Sequence, residues 1–383
     1  MNQDEHIDEM WQQFHSIPEP AFKEVKTAAL AAKILQQAGY EVTSGVGGTG
    51  VIGVLDSHEP GPVVGLRSDM DCLIFTEDYK EVGIHACGHD AHMSIVLNVA
   101  EMLAKNGIKS GKVKIVMQPA EEIGRGARTL LSTGVIDDID YLLGLHLMPK
   151  ELATSGQIVA QIHWTACTLL EAEISGQTAH GSMPNLGINA IDIGCSIINT
   201  INAIHMNPLE SWSVKPTRFQ TGEGALNAIC DSATLGFDLR TTKNSEMEIL
   251  KAKVFNIVKK TSELYGAQAK IKLVGSCPGS EDDLDILELI KTAIIAEVGS
   301  TGLILERTTT VGEDFNFYKQ FRPKLKTGFI GLGCNLTPGL HDRNMHFNHK
   351  DLIHGVNVLY SLVNSLLKFE KEISTTRLTG GLL

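Results

Sequence analysis

Apolar and polar positions alternate at helical spacing over residues 5–38, interrupted by a proline-bearing break at residues 14–20. The pattern predicts two helices, the second ending near Leu35. Residues 40–43 read as a strand. Short apolar runs then recur at residues 51–55, 63–67, 113–117 and 141–146. Each is too short for a helix and is bounded by turn formers or charge, so each predicts a buried strand. Residues 93–104 and 127–133 carry helical periodicity between them. This alternation runs to about residue 159 and implies an α/β fold with a mostly parallel sheet sandwiched by helices.

The texture changes after that. Residues 169–175, 233–239 and 269–273 read as strands, and residues 188–206 and 246–265 as helices. This is an α+β module set into the first domain. The α/β texture then returns with helices at residues 284–298 and from 312–318, a buried strand at 329–333 and a last helix at about 350–367. The tail after Lys371 is expected to fray. The predicted organisation is a discontinuous α/β domain, residues 1–165 and 277–383, with a smaller α+β domain at residues 166–276.

Composition narrows the function classes. A formal net charge of -12 argues against nucleic acid as a partner, because phosphate binding needs a basic footprint. No run reaches the ~18 apolar residues of a membrane span, so no membrane partner is expected. The first residues lack a basic start and an apolar run, which predicts a cytoplasmic protein. Seven cysteines, odd in number and scattered, do not make a disulfide framework. Most are expected to be buried as small hydrophobes, with Cys87 the exception.

The candidate chemistry concentrates in His85-Ala86-Cys87-Gly88-His89-Asp90-Ala91-His92. Three imidazoles, a thiol and a carboxylate in eight residues are all possible ligands for a borderline-soft metal. The cluster precedes a helix, whose N-terminal field is expected to favour a thiolate. It cannot fill a metal site alone. Asp69 and Asp71 follow one buried strand, and Glu121 and Glu122 follow another. On an extended backbone the two glutamates would point to opposite sides, one to a metal and one to a substrate. His146 ends a further apolar strand. The glycines of residues 45–50 formally match a dinucleotide fingerprint, but a strand follows them and not a helix, so they read as a turn between paired strands.

Leu66-Arg67-Ser68-Asp69-Met70-Asp71, His85 to Asp90, Gln118-Pro119-Ala120-Glu121-Glu122, Gly144-Leu145-His146, Gly176 with His180-Gly181-Ser182-Met183-Pro184, Asn227 with Arg240, Gly312-Glu313-Asp314-Phe315, and Leu340-His341 occur in that order. The ordered set resembles the two-metal amidohydrolase and metallopeptidase family of aminoacylases and glutamate carboxypeptidases. It is most similar to the branch of hippurate hydrolases, auxin-conjugate hydrolases and N-acetyldiaminopimelate deacetylases. The resemblance implies two divalent metal ions per chain, zinc or manganese, with cobalt or nickel as further candidates. Cys87, His89, Glu122, His146 and His341 would be their ligands, Cys87 bridging. Glu121 would be the general base. Asp69 would orient a histidine ligand, His89 first among the candidates. His180, from its own or a neighbouring subunit, would stabilise the oxyanion, and Asn227 and Arg240 would hold the substrate.

The implied activity is hydrolysis of the amide bond of N-acyl amino acids by a metal-activated water. A dipeptidase or aminopeptidase of the same family is the near alternative, and a metal-dependent binding protein without turnover the distant one. The partner is a small N-acyl amino acid or short peptide. The inserted domain is implied to be a lid and the surface of a homodimer or larger homo-oligomer. The sequence departs from the family at Cys72-Leu73-Ile74-Phe75, where Leu-Pro is usual, and in a short segment at residues 76–83.

Overall fold

The computed structural model describes residues 2–222, 224–281 and 283–379. It divides into two units: residues 1–162, 281–307 and 314–383, and residues 163–280 with 308–313.

In the first unit, α1 (Gln3–His15) and α2 (Val25–Gln37) lead into a hairpin of β1 (Glu41–Val46) and β2 (Gly50–Asp56). The glycines at residues 45–50 make its turn, as their spacing implies. Next come β3 (Val63–Asp69), β4 (Leu73–Glu77), β5 (Lys80–Ile84), α3 (His89–Asn106), β6 (Lys112–Gln118), α4 (Gly126–Thr133), β7 (Tyr141–Pro149) and β8 (Ile158–His163). The second unit holds β9 (Ala166–Ser175), α5 (Ala190–Asn202), β10 (Trp212–Thr221), β11 (Ser232–Thr241), α6 (Asn244–Leu264) and β12 (Gln268–Cys277). The chain then returns through α7 (Leu284–Gly302), β13 (Leu303–Thr308), α8 (Asn316–Phe321), β14 (Lys326–Leu336) and α9 (Leu352–Thr379). The last helix therefore runs beyond the expected stop near residue 367. Of the tail expected to fray after Lys371, residues 380–383 lie outside the described residues.

The large sheet has the order β1-β2-β6-β3-β7-β14-β8-β13. Its centre, β6-β3-β7-β14, is parallel, and antiparallel pairs flank it on both sides. The α/β class with a mostly parallel central sheet is therefore what the chain adopts. β3 shows why the apolar runs are continuous. Leu66 packs into the core shared with α3 and α9, while Arg67, one residue on, lies against the Phe315 ring on the opposite face. Both faces are covered, so both sets of positions must be buried.

The smaller β4–β5 hairpin turns on Asp78 and Tyr79, both at positive φ (47° and 63°). Two such residues between paired strands match the twist that a two-residue hairpin demands. In the second unit, an antiparallel sheet of order β10-β11-β9-β12 packs one face against α5 and α6. Its strands alternate: Leu170, Ala172 and Ile174 of β9 are buried with the helices, and the intervening residues form the other face. No described helix is long and apolar enough to cross a membrane.

Candidate metal centre

Segments at the carboxyl ends of β3, β6 and β7, the loop after β14 and the start of α3 bring the donors together. Gly88 caps α3 at φ +90°, and a β-carbon there would meet Leu147 Cδ1 at 2.9 Å. Only glycine both adopts this backbone and fits the space, and it sets Cys87 just ahead of the helix with His89 as its first residue.

Two histidines are fixed in the tautomer a ligand needs. His89 donates its Nδ1–H to the Asp71 carbonyl (2.9 Å), and His146 donates its Nδ1–H to the Leu147 carbonyl (2.6 Å). With the proton on Nδ1, each ring in its neutral form presents the Nε2 lone pair. His146 Nε2 lies 3.5 Å from Cys87 Sγ. His89 Nε2 lies 3.9 Å from both Glu121 Oε2 and Glu122 Oε1, and His341 Nε2 lies 3.4 Å from Glu122 Oε2.

The donor atoms of Cys87, His89 and His146 lie within 4.8 Å of one another. The same holds for Cys87, Glu122 and His341, and for His89, Glu121 and Glu122. His89 Nε2 and Glu122 Oε1 are buried without a protein hydrogen bond. Buried polar atoms are rarely left so. A mixed sulfur, nitrogen and carboxylate set with orphaned donors fits a borderline-soft divalent ion.

The glutamate pair is not extended, which corrects the expected opposite-facing arrangement. Residues 121–124 form a turn, and Ala120 before them has φ +56°. The Asp71 carboxylate accepts the backbone N–H of Glu121 and of Glu122, both at 3.1 Å. Held in this way, both carboxylates approach the same His89 nitrogen. Asp71 thus positions three of the site residues through its backbone and side chain. Its spacing of two from Asp69 was the signal for it.

Asp69 also corrects an expectation. It accepts the Nδ1–H of His92 at 2.8 Å, while His89 Nε2 is 3.8 Å from it. His92 Nε2 in turn accepts the Leu147 N–H at 3.0 Å. Behind Asp69, the buried Arg67 donates to Asp69 (2.6 Å), to Asp314 (2.9 Å) and to Gln118 (3.0 Å). Asp314 also accepts from Gln118 (2.7 Å) and from the Ala127 N–H (3.0 Å). His92, Arg67 and Asp314 were not among the sequence-predicted site residues.

Electrostatics follow from burial. Burial, aided by Glu122, pushes the Cys87 thiol well above its ordinary range. The helix field expected to favour a thiolate is outweighed until a cation arrives. Burial raises Glu122 to about 7. Burial and then His92 push His146 well down, whereas Asp69 and Cys87 raise His89 against the pull of burial. The expectation that most cysteines are buried also fails. Cys72, Cys87 and Cys334 are buried, but Cys195 is exposed and Cys167, Cys230 and Cys277 are half-buried.

The profile of peptidase family M20/M25/M40 matches residues 65–365. The chain belongs to this family. It is a hydrolytic enzyme that acts on amide or peptide bonds, and it binds metal. It is 30% identical over 327 residues to thermostable carboxypeptidase 1 of Saccharolobus solfataricus, covering 81% of this chain and 81% of the relative. It is 28% identical to the hippurate hydrolase of Campylobacter jejuni, over 93% of this chain and 95% of that one. A solved dinuclear metal-binding peptidase of the M20 family from Bacillus subtilis superposes with a TM-score of 0.80 at 25% identity, covering 95% and 98% of the two chains.

The remaining predicted residues lie in the second unit. His180 is exposed, and its Nδ1 accepts the Ser182 N–H (3.1 Å) with the Ser182 hydroxyl at 2.7 Å. This leaves Nε2 as the protonated nitrogen of the neutral ring, a donor. The Asn227 carbonyl accepts the Gly181 N–H at 2.6 Å, so His180 and Asn227 share one loop pair. Arg240, near the end of β11, is held by Asp238 (2.8 Å) and the Thr310 carbonyl (3.1 Å).

Proposed function

We propose that this enzyme is a metal-dependent amidohydrolase that cleaves the amide bond of N-acyl amino acids, with short peptides as the neighbouring substrate class. The observation that carries this reading is that two donor triads share one atom. Cys87, His89 and His146 form one triad and Cys87, Glu122 and His341 the other. Two divalent ions, zinc or manganese, would be held there, with Cys87 common to both. Such ions polarise the scissile carbonyl and lower the pKa of water.

The chain's own groups supply the rest. Glu121 is proposed as the general base, which takes the proton of the attacking water and returns it to the leaving nitrogen. Its Oε2 lies within reach of the same cluster, 3.9 Å from His89 Nε2. Asp69 and Asp71 hold the surrounding histidines and glutamates in register. His180 offers an Nε2–H for the oxyanion, and Asn227 and Arg240 are proposed to contact substrate. These three roles rest on the resemblance. Assembly as a homodimer or larger oligomer through the second unit, in the cytoplasm, belongs to the same proposal.

The test is direct. The enzyme is dialysed against chelator, reloaded with zinc, manganese or cobalt, and assayed on acetyl, benzoyl and longer N-acyl amino acids and on dipeptides. Metal dependence with preference for the N-acyl compounds is expected. A Glu121→Gln variant that keeps its metal should lose orders of magnitude in kcat. Unchanged turnover in that variant sinks the proposal.

A further inference from the structure

The second unit carries a pair of cysteines that the hydrolytic reading does not use. Cys167 of β9 and Cys277 of β12 are directly opposite in an antiparallel pair. Opposite residues share a face with β-carbons about 4.5–5.5 Å apart, close to what a disulfide spans. The face is the one turned away from α5 and α6, and both side chains are half-buried. A β-carbon on Gly312 would lie 3.0 Å from Cys167 Sγ and 3.7 Å from Cys277 Sγ, so both sulfurs face the same small space. On its other side Cys167 is opposite Arg240 of β11, whose guanidinium pairs with Asp238.

The backbone above is fitted to the pair. The same β-carbon on Gly312 would lie 3.1 Å from Cys277 Cβ. Thr310 of the same segment takes the Arg240 Nη1–H. A glycine lets the backbone of residues 308–313 close over the two sulfurs.

We propose that Cys167 and Cys277 form a peroxide-reactive dithiol, with Cys167 the attacking sulfur and Cys277 the resolving one. The Cys167 thiolate attacks a hydroperoxide oxygen, the O–O bond breaks, and the leaving alkoxide or hydroxide takes a proton. Cys167 becomes a sulfenic acid, oxidised by two electrons as the peroxide is reduced to alcohol or water. The Cys277 thiol then attacks that sulfur, forms the disulfide and releases water. A dithiol reductant returns the pair to its starting state. The environment suits the first step. The neighbouring Cys277 thiol, with help from Arg240, lowers the Cys167 thiol to about 7 against the pull of burial. Burial instead pushes the Cys72 and Cys334 thiols to about 12. Low pKa with partial access is the pattern of redox-active thiols. Oxidation also removes the thiolate beside Arg240 and leaves Asp238 as its acidic neighbour.

The test needs no substrate and does not depend on the hydrolase reading. The full-length, metal-loaded protein is treated with hydrogen peroxide and mapped by non-reducing peptide mass spectrometry. A Cys167–Cys277 linkage that dithiothreitol reverses is expected. In Cys277→Ser the reaction should stop at a dimedone-trappable sulfenic acid on Cys167. Cys195, exposed on α5, is the internal control. The proposal is overturned if the wild-type protein forms no 167–277 linkage, or if Cys195 is oxidised before Cys167. The wild-type mapping stands even where the variant folds poorly.

Discussion

The Oδ1 of Asp69 accepts the Nδ1–H of His92 at 2.8 Å. With the Leu147 N–H on its other nitrogen, the His92 ring has no lone pair left for a metal. His92 is therefore a positioning residue, tying β3 and β7 to the first turn of α3 beside Cys87 and His89. Removing such outer partners typically costs 10–100-fold in metal affinity without removing a ligand. His92→Asn should bind the full complement of metal at saturation with affinity weakened by roughly that factor. His89→Ala should lose metal even at saturation. Equilibrium dialysis with elemental analysis separates the two. Loss of an ion from saturated His92→Asn would show that His92 is itself a ligand.

Arg67 sits at 1% exposure between Asp69 and Asp314, both fully buried. Replacing one member of a buried charge group strands the others, at a cost of about 3–5 kcal/mol. Arg67→Met, similar in length and without charge, should destabilise the first unit by about that amount. It should also disturb the site, because Asp69 loses one of its anchors. Chemical denaturation followed by tryptophan fluorescence measures this. A loss under about 1 kcal/mol would mean that the carboxylates find other partners or protonate.

What could be read in advance, and what could not, follows from the same residues. β3 and β7 were legible because a strand buried on both faces must be continuously apolar, and the chemistry sits where those runs stop. β10 was not legible. It carries Pro216, Arg218 and mostly exposed positions, as an edge strand with a bulge does. The ligand set was legible as short motifs in order, but the pairing inside it was not. His89 and His92 are three apart on one helix and face the same way, so spacing cannot say which reaches Asp69. The glutamate turn depends on a positive φ at Ala120 and on the Asp71 carboxylate, and neither leaves a periodic trace.

His15 provides a stability test away from the ligands. Its Nδ1–H donates to the buried Asp90 at 2.7 Å, and its ring stacks on Trp11 with centroids 4.5 Å apart. The hydrogen bond to Asp90 raises His15 above 6.5, against burial, and Asp90 is lowered by His85 and His15 despite its own burial. A histidine with a raised folded pKa stabilises fully below its unfolded value of about 6.5 and loses that contribution as pH rises through the folded value. The carboxylate loses its share as pH falls toward its depressed folded value. The pair is therefore worth most between about pH 4 and 6.5. The denaturation midpoint of His15→Asn should trail the wild type more at pH 5.5 than at pH 8.5. A gap that stays constant across that range would assign the loss to the Trp11 stack alone.

Cys87 and Glu122 carry the last prediction. Burial holds the thiol protonated far beyond neutral pH and raises the carboxyl to about 7. Both must be anionic to ligate, so loading at pH 7 must expel protons. About one comes from Cys87, about half of one from Glu122, since a group at its pKa is half ionised, and up to about one more from His89, whose raised pKa keeps its ring protonated before metal arrives. Each proton released makes apparent affinity fall as pH falls, by up to about ten-fold per unit. Zinc titration of the chelator-treated protein, by calorimetry in two buffers of different protonation enthalpy, counts these protons. A count near zero, with affinity flat from pH 6 to 8, would mean that Cys87 is already a thiolate before metal arrives. The field of α3 would then outweigh burial, and the balance argued for this pocket would have the wrong sign.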